Sequence, residues 1–268
     1  MKASTIVGII VSCVGIALGA TMEGSNIAAV LNPTAMLIVL VGTLGATIAG
    51  TSFETIKNIP ALYKKVMAAE PPDMVGRLSE LVSFAEKARR DGLLALDEQL
   101  STVEDPYVKK GLQLVVDGTD PDLVADVLEA ENDAMRKRHQ WGAQPFEKAG
   151  GYAPTMGIIG TAFGLVHVLG NLSAPETLGP SISAAFIATL LGIASANVLY
   201  LPVAARLKQL SAQELHFRVM TLEGILAIQA GDNPRVVAEK LMAYVPPSLR
   251  TAADAGGAGQ PAAERAAA

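Results

Sequence analysis

Four long apolar stretches organise this chain, and the polar residues between them fall into two kinds of segment. The stretches run from about Ser4 to Met22, Pro33 to Phe53, Tyr152 to Leu169 and Ile182 to Ala204. Each is near the ~20 residues a helix needs to cross about 30 Å of hydrocarbon. None contains Asp, Glu, Lys or Arg. The pattern predicts four membrane helices. Lys2 and the first run have the outline of a signal peptide. The run reaches Glu23 without a small-x-small site and polar leader, and three more spans come after it, so it reads as a first membrane helix.

The polar segments differ in positive charge. All 21 Lys and Arg lie at the N-terminal tip or in two blocks, Lys57 to Lys148 and Arg206 to Arg265. The short breaks around Glu23–Leu31 and Asn171–Pro180 contain none. Positive residues collect on the cytoplasmic side of a membrane, whereas acids contribute little to orientation. Both termini and the long loop are therefore expected in the cytoplasm of a multi-pass membrane protein. The expected division is 1–53 for spans one and two, 54–150 for a cytoplasmic helical domain, 151–205 for spans three and four, 206–247 for cytoplasmic C-terminal helices and 248–268 for a disordered tail.

Within the loop, Pro71–Pro72 interrupts the chain and Asp73 is placed to cap the next helix. Met74 to Arg90 reads as an amphipathic helix, with Leu78, Leu81, Val82, Ala85 and Ala88 or Arg89 at helical spacing. Gly92 breaks it. Leu93 to Leu100 forms a short helix bearing Asp97 and Glu98. Asp105–Pro106 opens another, and Asp120–Pro121 a fourth that runs into the charged stretch Glu131 to His139. After span four, Arg206 to Gln229 extends the membrane helix. A turn at Gly231–Pro234 leads to a short helix, Arg235 to Ala243, ended by Pro246–Pro247. The fold class is an all-α membrane protein with a helical cytoplasmic domain between helices two and three.

Composition narrows the function. Half of the 268 residues are hydrophobic, yet only 4% are aromatic, and Gly and Ala are abundant, as in closely packed membrane helices. With a net charge of -5 and no long basic run, a nucleic-acid partner is not expected. Cys13, the one cysteine, has no internal partner and reads as a buried small apolar residue. The three His residues are scattered, so neither a metal cluster nor a cofactor is expected, and no nucleophile–base grouping marks an enzyme.

Small residues form faces on three spans: Gly42, Gly45, Ala46 and Ala49; Gly157, Gly160 and Gly164; Ala185, Ala188, Gly192 and Ala196. A packed bundle accounts for these alone. Thr161 and Thr189 both fall near the midplane at 1.5 Å rise per residue. They either line a polar path for an ion or bond their own i−4 carbonyls. Asn197 is expected to hold a helix contact. Pro154 and Pro202 share a depth near the cytoplasmic side, as kinks or as a paired hinge. Ion-coupled machines place a carboxylate in the membrane, and spans two to four offer none. If this protein carries ions, another chain brings the acid.

Three stretches carry a family resemblance: Asn32 to Thr47, Ala153 to Leu165, and Gly179 to Gly192 with Ala196 to Pro202. As a set they resemble the second, third and fourth spans of flagellar motor stator proteins of the MotA/PomA type, and the likeness covers roughly residues 1–245. The resemblance implies a stator subunit in a bacterial inner membrane. Five such chains surround two copies of a peptidoglycan-anchored MotB/PomB partner, whose single membrane helix carries the ion-accepting Asp. Inward flow of a sodium ion or proton turns the ring, and the cytoplasmic loop pushes on the rotor's switch-complex protein. By the same resemblance, Thr161 and Thr189 lie on the ion path, Pro154 and Pro202 serve conformational coupling, and Arg89, Arg90, Asp97 and Glu98 engage the rotor. The family's usual loop acid is Glu; here Asp97 stands there with Glu98 beside it.

Two other readings compete. An ExbB/TolQ-like, proton-driven energiser of outer-membrane processes usually has three spans, and the adjacent pair of spans one and two argues against it. A non-conducting scaffold explains the glycine faces but not the paired depths of the Thr and Pro residues.

Overall fold

The computed structural model describes residues 4–24, 30–173 and 175–250. Lys2 and residues 251–268 of the expected tail lie outside the described residues. All regular structure among the described residues is helical, with no strand. Helix α1 is Ser4–Met22 and α2 is Pro33–Ala49. Two short helices come next, α3 (Phe53–Lys57) and α4 (Ile59–Ala68). They lead to α5 (Met74–Asp91), a 3-10 turn (Leu93–Leu96), α6 (Asp97–Leu100) and α7 (Pro106–Val116). The long helices are α8 (Pro121–Gly170) and α9 (Pro175–Gln229), and α10 (Pro234–Met242) is the last.

Four of the expected boundaries move. Span two ends at Ala49, not Phe53, because the chain turns at Gly50, whose carbonyl accepts from Lys148 Nζ. The fourth loop helix and span three are one helix, continuous through Pro145 and Pro154. Helix α9 begins at Pro175, seven residues before the expected Ile182, and contains Pro180. The C-terminal tail expected from Ser248 is still helical over 247–250, where Arg250 Nε donates to the Val245 carbonyl at 2.9 Å.

The chain divides into two compact units. The first holds the described residues of 1–70 and 137–211, with α1 to α4 and the adjoining parts of α8 and α9. Among the described helices, α1, α8 and α9 are long and apolar enough to cross a membrane, and α2 is a shorter apolar helix. Asn32 starts α2: its Oδ1 accepts from Ala35 N at 3.1 Å, and Pro33 supplies a pre-set first turn that lacks the N–H needing a partner. The buried stripe of α2 is Ala35, Val39, Thr43 and Thr47, spaced four apart. The face expected from Gly42, Gly45, Ala46 and Ala49 is only partly used. Gly42 lies over Met156, while Gly45 has open space around it. Cys13 is exposed on α1, not buried, because most of that helix faces outward. A second cluster packs Val66 of α4 with Ala143, Phe146, Val203, Ala204 and Leu207; Tyr63 meets Phe146 edge to face at 5.1 Å.

The second unit holds 71–136 and 212–250 among the described residues. Asp73 caps α5 by accepting from Gly76 N at 2.9 Å, and Gly92 ends it with φ 86°, a left-handed conformation suited to glycine. Asp105 and Asp120 cap α7 and α8 in the same way. The amphipathic stripe of α5 buries Leu78, Leu81, Ala85 and Ala88 as expected, with Met74 and Phe84 added, while Arg89 points outward. These side chains share a core with Val108, Leu112, Leu128, Ile225 and Leu241. One polar group is built into that core. Tyr107 is 2% exposed, accepts from Asn132 Nδ2 at 2.9 Å and lies under the Arg218 guanidinium at 4.7 Å. Glu131 holds Arg218 and also pairs with Lys110. Burial pushes the Tyr107 phenol up to about 12, against the opposing pull of Asn132 and Arg218.

The raised value fixes a sign. Stability from neutral Tyr107 is complete below the ordinary 10.0 and is lost as pH rises towards about 12. Tyrosinate absorbance of the native full chain should show a last ionisation near pH 12 that Tyr107→Phe removes. The same variant leaves Asn132 Nδ2 without its acceptor and should cost about 1–3 kcal/mol. Simultaneous titration of all five tyrosines near pH 10 would contradict the buried phenol.

Candidate functional site

Helices α8 and α9 approach each other antiparallel along a seam of small residues. A side chain added to Gly150 would strike Leu201, and one added to Gly192 would strike the Ala153 carbonyl. At Gly157 an added Cβ would come within 2.8 Å of the Ala188 carbonyl oxygen, and at Gly160 within 2.8 Å of the Ala188 Cβ. Gly164 lies against Ala185. The small-residue faces expected on spans three and four therefore meet directly. Such an approach lets backbone carbonyls and side chains of one helix reach the other, an interaction that small residues alone permit.

That proximity brings Thr161 and Thr189 together. Their hydroxyls are hydrogen-bonded to one another. Thr161 Oγ1 also lies 3.1 Å from the Gly157 carbonyl of its own helix and 2.9 Å from the Ala185 carbonyl of α9. Thr189 Oγ1 is 3.4 Å from the Gly157 carbonyl. Each hydroxyl has one proton, so the contacts cannot all form at once. One arrangement has Thr189 donating to Thr161 and Thr161 donating to the carbonyl of Ala185 or of Gly157. The other has Thr161 donating to Thr189 and Thr189 to Gly157. The i−4 bond expected for a membrane Thr is thus one of several. The result is four neutral oxygens, half-buried, with two proton arrangements and no acid in the apolar segments that supply them.

Pro154 and Pro202 lie at one end of this seam, on helices joined by the Gly150–Leu201 contact. Ahead of Pro202 the helix widens into a π segment, Ala196–Tyr200, and the Leu201 amide donates back to Ala196. A proline ring presses on the carbonyl four residues earlier and donates no hydrogen bond; a widened turn relieves both problems. Asn197 lies in the same segment, but it is exposed and donates to the Ile193 carbonyl at 2.9 Å. It spends its amide on the local backbone, so the expected helix contact is not made.

The charged candidates occupy the second unit. Arg89, Arg90, Asp97 and Glu98 are all exposed. Arg90 is held by Asp91, with Nε to Oδ1 at 3.1 Å and Nη2 to Oδ2 at 3.0 Å. That contact raises the Arg90 guanidinium and lowers the Asp91 carboxyl from their ordinary values. Glu98 pairs with Lys87 at 3.6 Å. Arg89 and Asp97 form no ion pair among the described residues. The four charges are therefore not equivalent. Sequence alone does not single out Thr43. It is 1% exposed on α2, and its Oγ1 has no hydrogen-bond partner among the described residues, whereas Thr47 Oγ1 donates to the Thr43 carbonyl at 2.7 Å.

Comparison with known proteins gives one answer over most of the chain. Residues 6–92 match the family described as Motility protein A N-terminal, and residues 99–220 match the MotA/TolQ/ExbB proton channel family. The chain is 38% identical over 247 residues to Motility protein A of Bacillus subtilis, covering 92% of each. It is 34% identical over 240 residues to Chemotaxis protein PomA of Vibrio alginolyticus, covering 84% of this chain and 88% of that one. Among solved structures, the flagellar MotAB stator complex from Bacillus subtilis superposes with a TM-score of 0.86 at 36% identity, covering 93% of this chain and 98% of that one. C. jejuni MotAB gives a TM-score of 0.87 at 29% identity, covering 92% and 97%.

The seam separates two otherwise similar substitutions. Gly192→Ala should force α8 and α9 apart and cost about 1–3 kcal/mol, seen as a lower melting temperature of the purified chain. Gly45→Ala meets open space and should be neutral or slightly stabilising. Equal effects at the two positions would remove the seam as a packing constraint.

Proposed function

This chain belongs to the MotA/TolQ/ExbB proton channel family, within its motility protein A group, and we propose on that footing that it is the ring-forming subunit of a flagellar stator. With a MotB/PomB-type partner it couples inward flow of a sodium ion or proton to torque on the rotor. The solved relatives are MotAB complexes, which supports such a partner. The arrangement we propose is five copies of this chain around two of the partner. It crosses the inner membrane four times, through α1, α2 and the apolar parts of α8 and α9. Residues 54–150, 206–247 and both termini lie in the cytoplasm. The absence of Lys and Arg from the two short breaks supports that orientation.

The observation that carries this reading is the oxygen cluster at Thr161 and Thr189. It is polar enough to receive a cation and carries no charge to hold one. The partner's carboxylate completes it. Hydroxyl and carbonyl oxygens are hard ligands suited to sodium, and a hydroxyl pair with two proton arrangements equally suits a relayed proton. Neutralising the carboxylate ends its attraction to these dipoles. Helices α8 and α9 then shift where their ladders are weakest, at Pro154 and beside the π segment before Pro202. An elementary charge crossing 100 mV releases about 2.3 kcal/mol, so each step is small and must be repeated.

Towards the rotor, Arg89 and Asp97 present charge that no neighbour among the described residues neutralises, whereas Arg90 and Glu98 are each engaged. The rotor contact therefore rests mainly on Arg89 and Asp97. Steering by exposed charges of this kind weakens with salt.

The test is swimming in a motile bacterium stripped of its own stators and supplied with this chain and its partner. The wild type should restore motility. Pro154→Ala should leave the complex in the membrane and stop swimming, and Asp97→Asn should impair it more than Glu98→Gln. Normal swimming with Pro154→Ala would end the hinge role, and a stronger effect at Glu98 would reverse the assignment of the acid.

A further inference from the structure

A cavity of about 520 Å³ lies between α1 and α9 in the first unit, away from the Thr161–Thr189 cluster. Its walls are mostly apolar, from Gly8 and Ile9 on one side and Val198 and Pro202 on the other, with Thr5 and Gln209 at the polar part. Ser12 adds a hydroxyl, but that group already donates to the Gly8 carbonyl at 2.9 Å. Arg206 also lines the cavity, and it is 7% exposed. Its Nη1 donates to Gln209 Oε1 at 2.8 Å, while Nε has no hydrogen-bond partner among the described residues. Nor does an acid among the described residues pair with Arg206. Glu147 of the same unit is engaged by Lys208. A nearly buried guanidinium whose only partner is a neutral amide is costly unless an anion neutralises it.

We propose that this cavity binds an anionic phospholipid of the cytoplasmic leaflet, with the phosphate on Arg206 and the upper acyl chain against Gly8 and Ile9. The choice of a lipid rests on three features. A guanidinium recognises phosphate through several N–H donors. The cavity is far larger than one carboxylate side chain requires. Its apolar wall also continues onto the outer face of α1, where Val7, Ile10 and Val11 are 51%, 54% and 64% exposed. This placement rests on the orientation proposed above, which sets the Arg206 end of α9 at the depth of cytoplasmic headgroups, where basic pockets between membrane helices take anionic lipid. Because Pro202 shares the cavity, the lipid sits beside the proposed hinge and would bias the widened turn before it.

The experiment uses the purified complex of this chain with its partner, stripped of lipid in mild detergent. Its melting temperature is followed as phosphatidylglycerol, phosphatidylcholine or inorganic phosphate is added. Phosphatidylglycerol should raise the melting temperature of the wild type by several degrees, phosphatidylcholine much less, and phosphate not at all. Arg206→Gln should lose the phosphatidylglycerol shift, whereas Arg138→Gln, an exposed control, should keep it. Gly8→Leu fills the cavity from α1, where an added Cβ meets nothing within 4 Å, and should lose the shift while leaving Arg206 in place. A full shift with phosphate alone would make this a free-anion site and overturn the lipid. So would equal shifts with both lipids, or retention of the shift in Gly8→Leu. If the wild type gains nothing from phosphatidylglycerol and Arg206→Gln breaks the ring, an acid of a neighbouring copy neutralises the guanidinium and the proposal falls. Because the readout is binding in detergent, its failure beside intact swimming would leave the stator reading untouched.

Discussion

Close approach of α8 and α9 is the constraint on which the candidate site depends. At Gly157 and Gly192 the backbone of one helix lies where a side chain of the other would ordinarily sit. Only at that separation can Thr161 of α8 reach both the Thr189 hydroxyl and the Ala185 carbonyl of α9. The seam and the oxygen cluster are therefore one feature. Glycines supply the distance, and two threonines spaced for an antiparallel pair supply the chemistry. The widened turn before Pro202 and the missing amide at Pro154 weaken the two helices at the same end of the seam, so tight packing and a deformable segment lie side by side.

A polar cluster with no charge, in apolar segments with no acid, suits the proposed role as part of a conduit. Hydroxyls and carbonyls can replace some of a cation's hydration, but they do not offset the cost of bringing a bare charge into hydrocarbon. That role falls to the proposed partner's carboxylate. Division of labour between chains also suits a rotary device: a ring of identical neutral sites lets one carboxylate meet equivalent surroundings at each step. The large apolar side chains exposed on the first unit, Phe163 and Phe186 among them at 66% and 61%, fit a chain that is covered by lipid and by other subunits.

Much of this is legible in the sequence because it depends on periodicity and punctuation. Asp73, Asp105 and Asp120 cap helices where their spacing places them, and the apolar stripe of α5 buries the residues expected. The Gly157 and Ala188 faces can be read as faces, and the shared depth of Thr161 and Thr189 comes from rise per residue. Other features cannot be read this way. Asp120–Pro121 signals a start, but nothing in Gln144–Pro145 or Ala153–Pro154 signals that α8 runs through both prolines, since neighbouring helices can hold a proline-containing ladder straight. The π segment at Ala196–Tyr200 breaks the 3.6-residue period, and no residue pattern announces it. Gly45 reads as part of a packing face because a glycine stripe does not say which of two sides has a neighbour. Which of Asp97 and Glu98 is free depends on Lys87, one helix away in space, and no local pattern carries that information.

Reconstitution in proteoliposomes puts the incomplete conduit to its most direct test. Sodium and proton flux should be absent when this chain is inserted alone, however well it is folded, and should arise when the partner is added. Flux through this chain by itself would show that Thr161, Thr189 and their carbonyl neighbours suffice without an external carboxylate, and the account built on a shared site would be wrong.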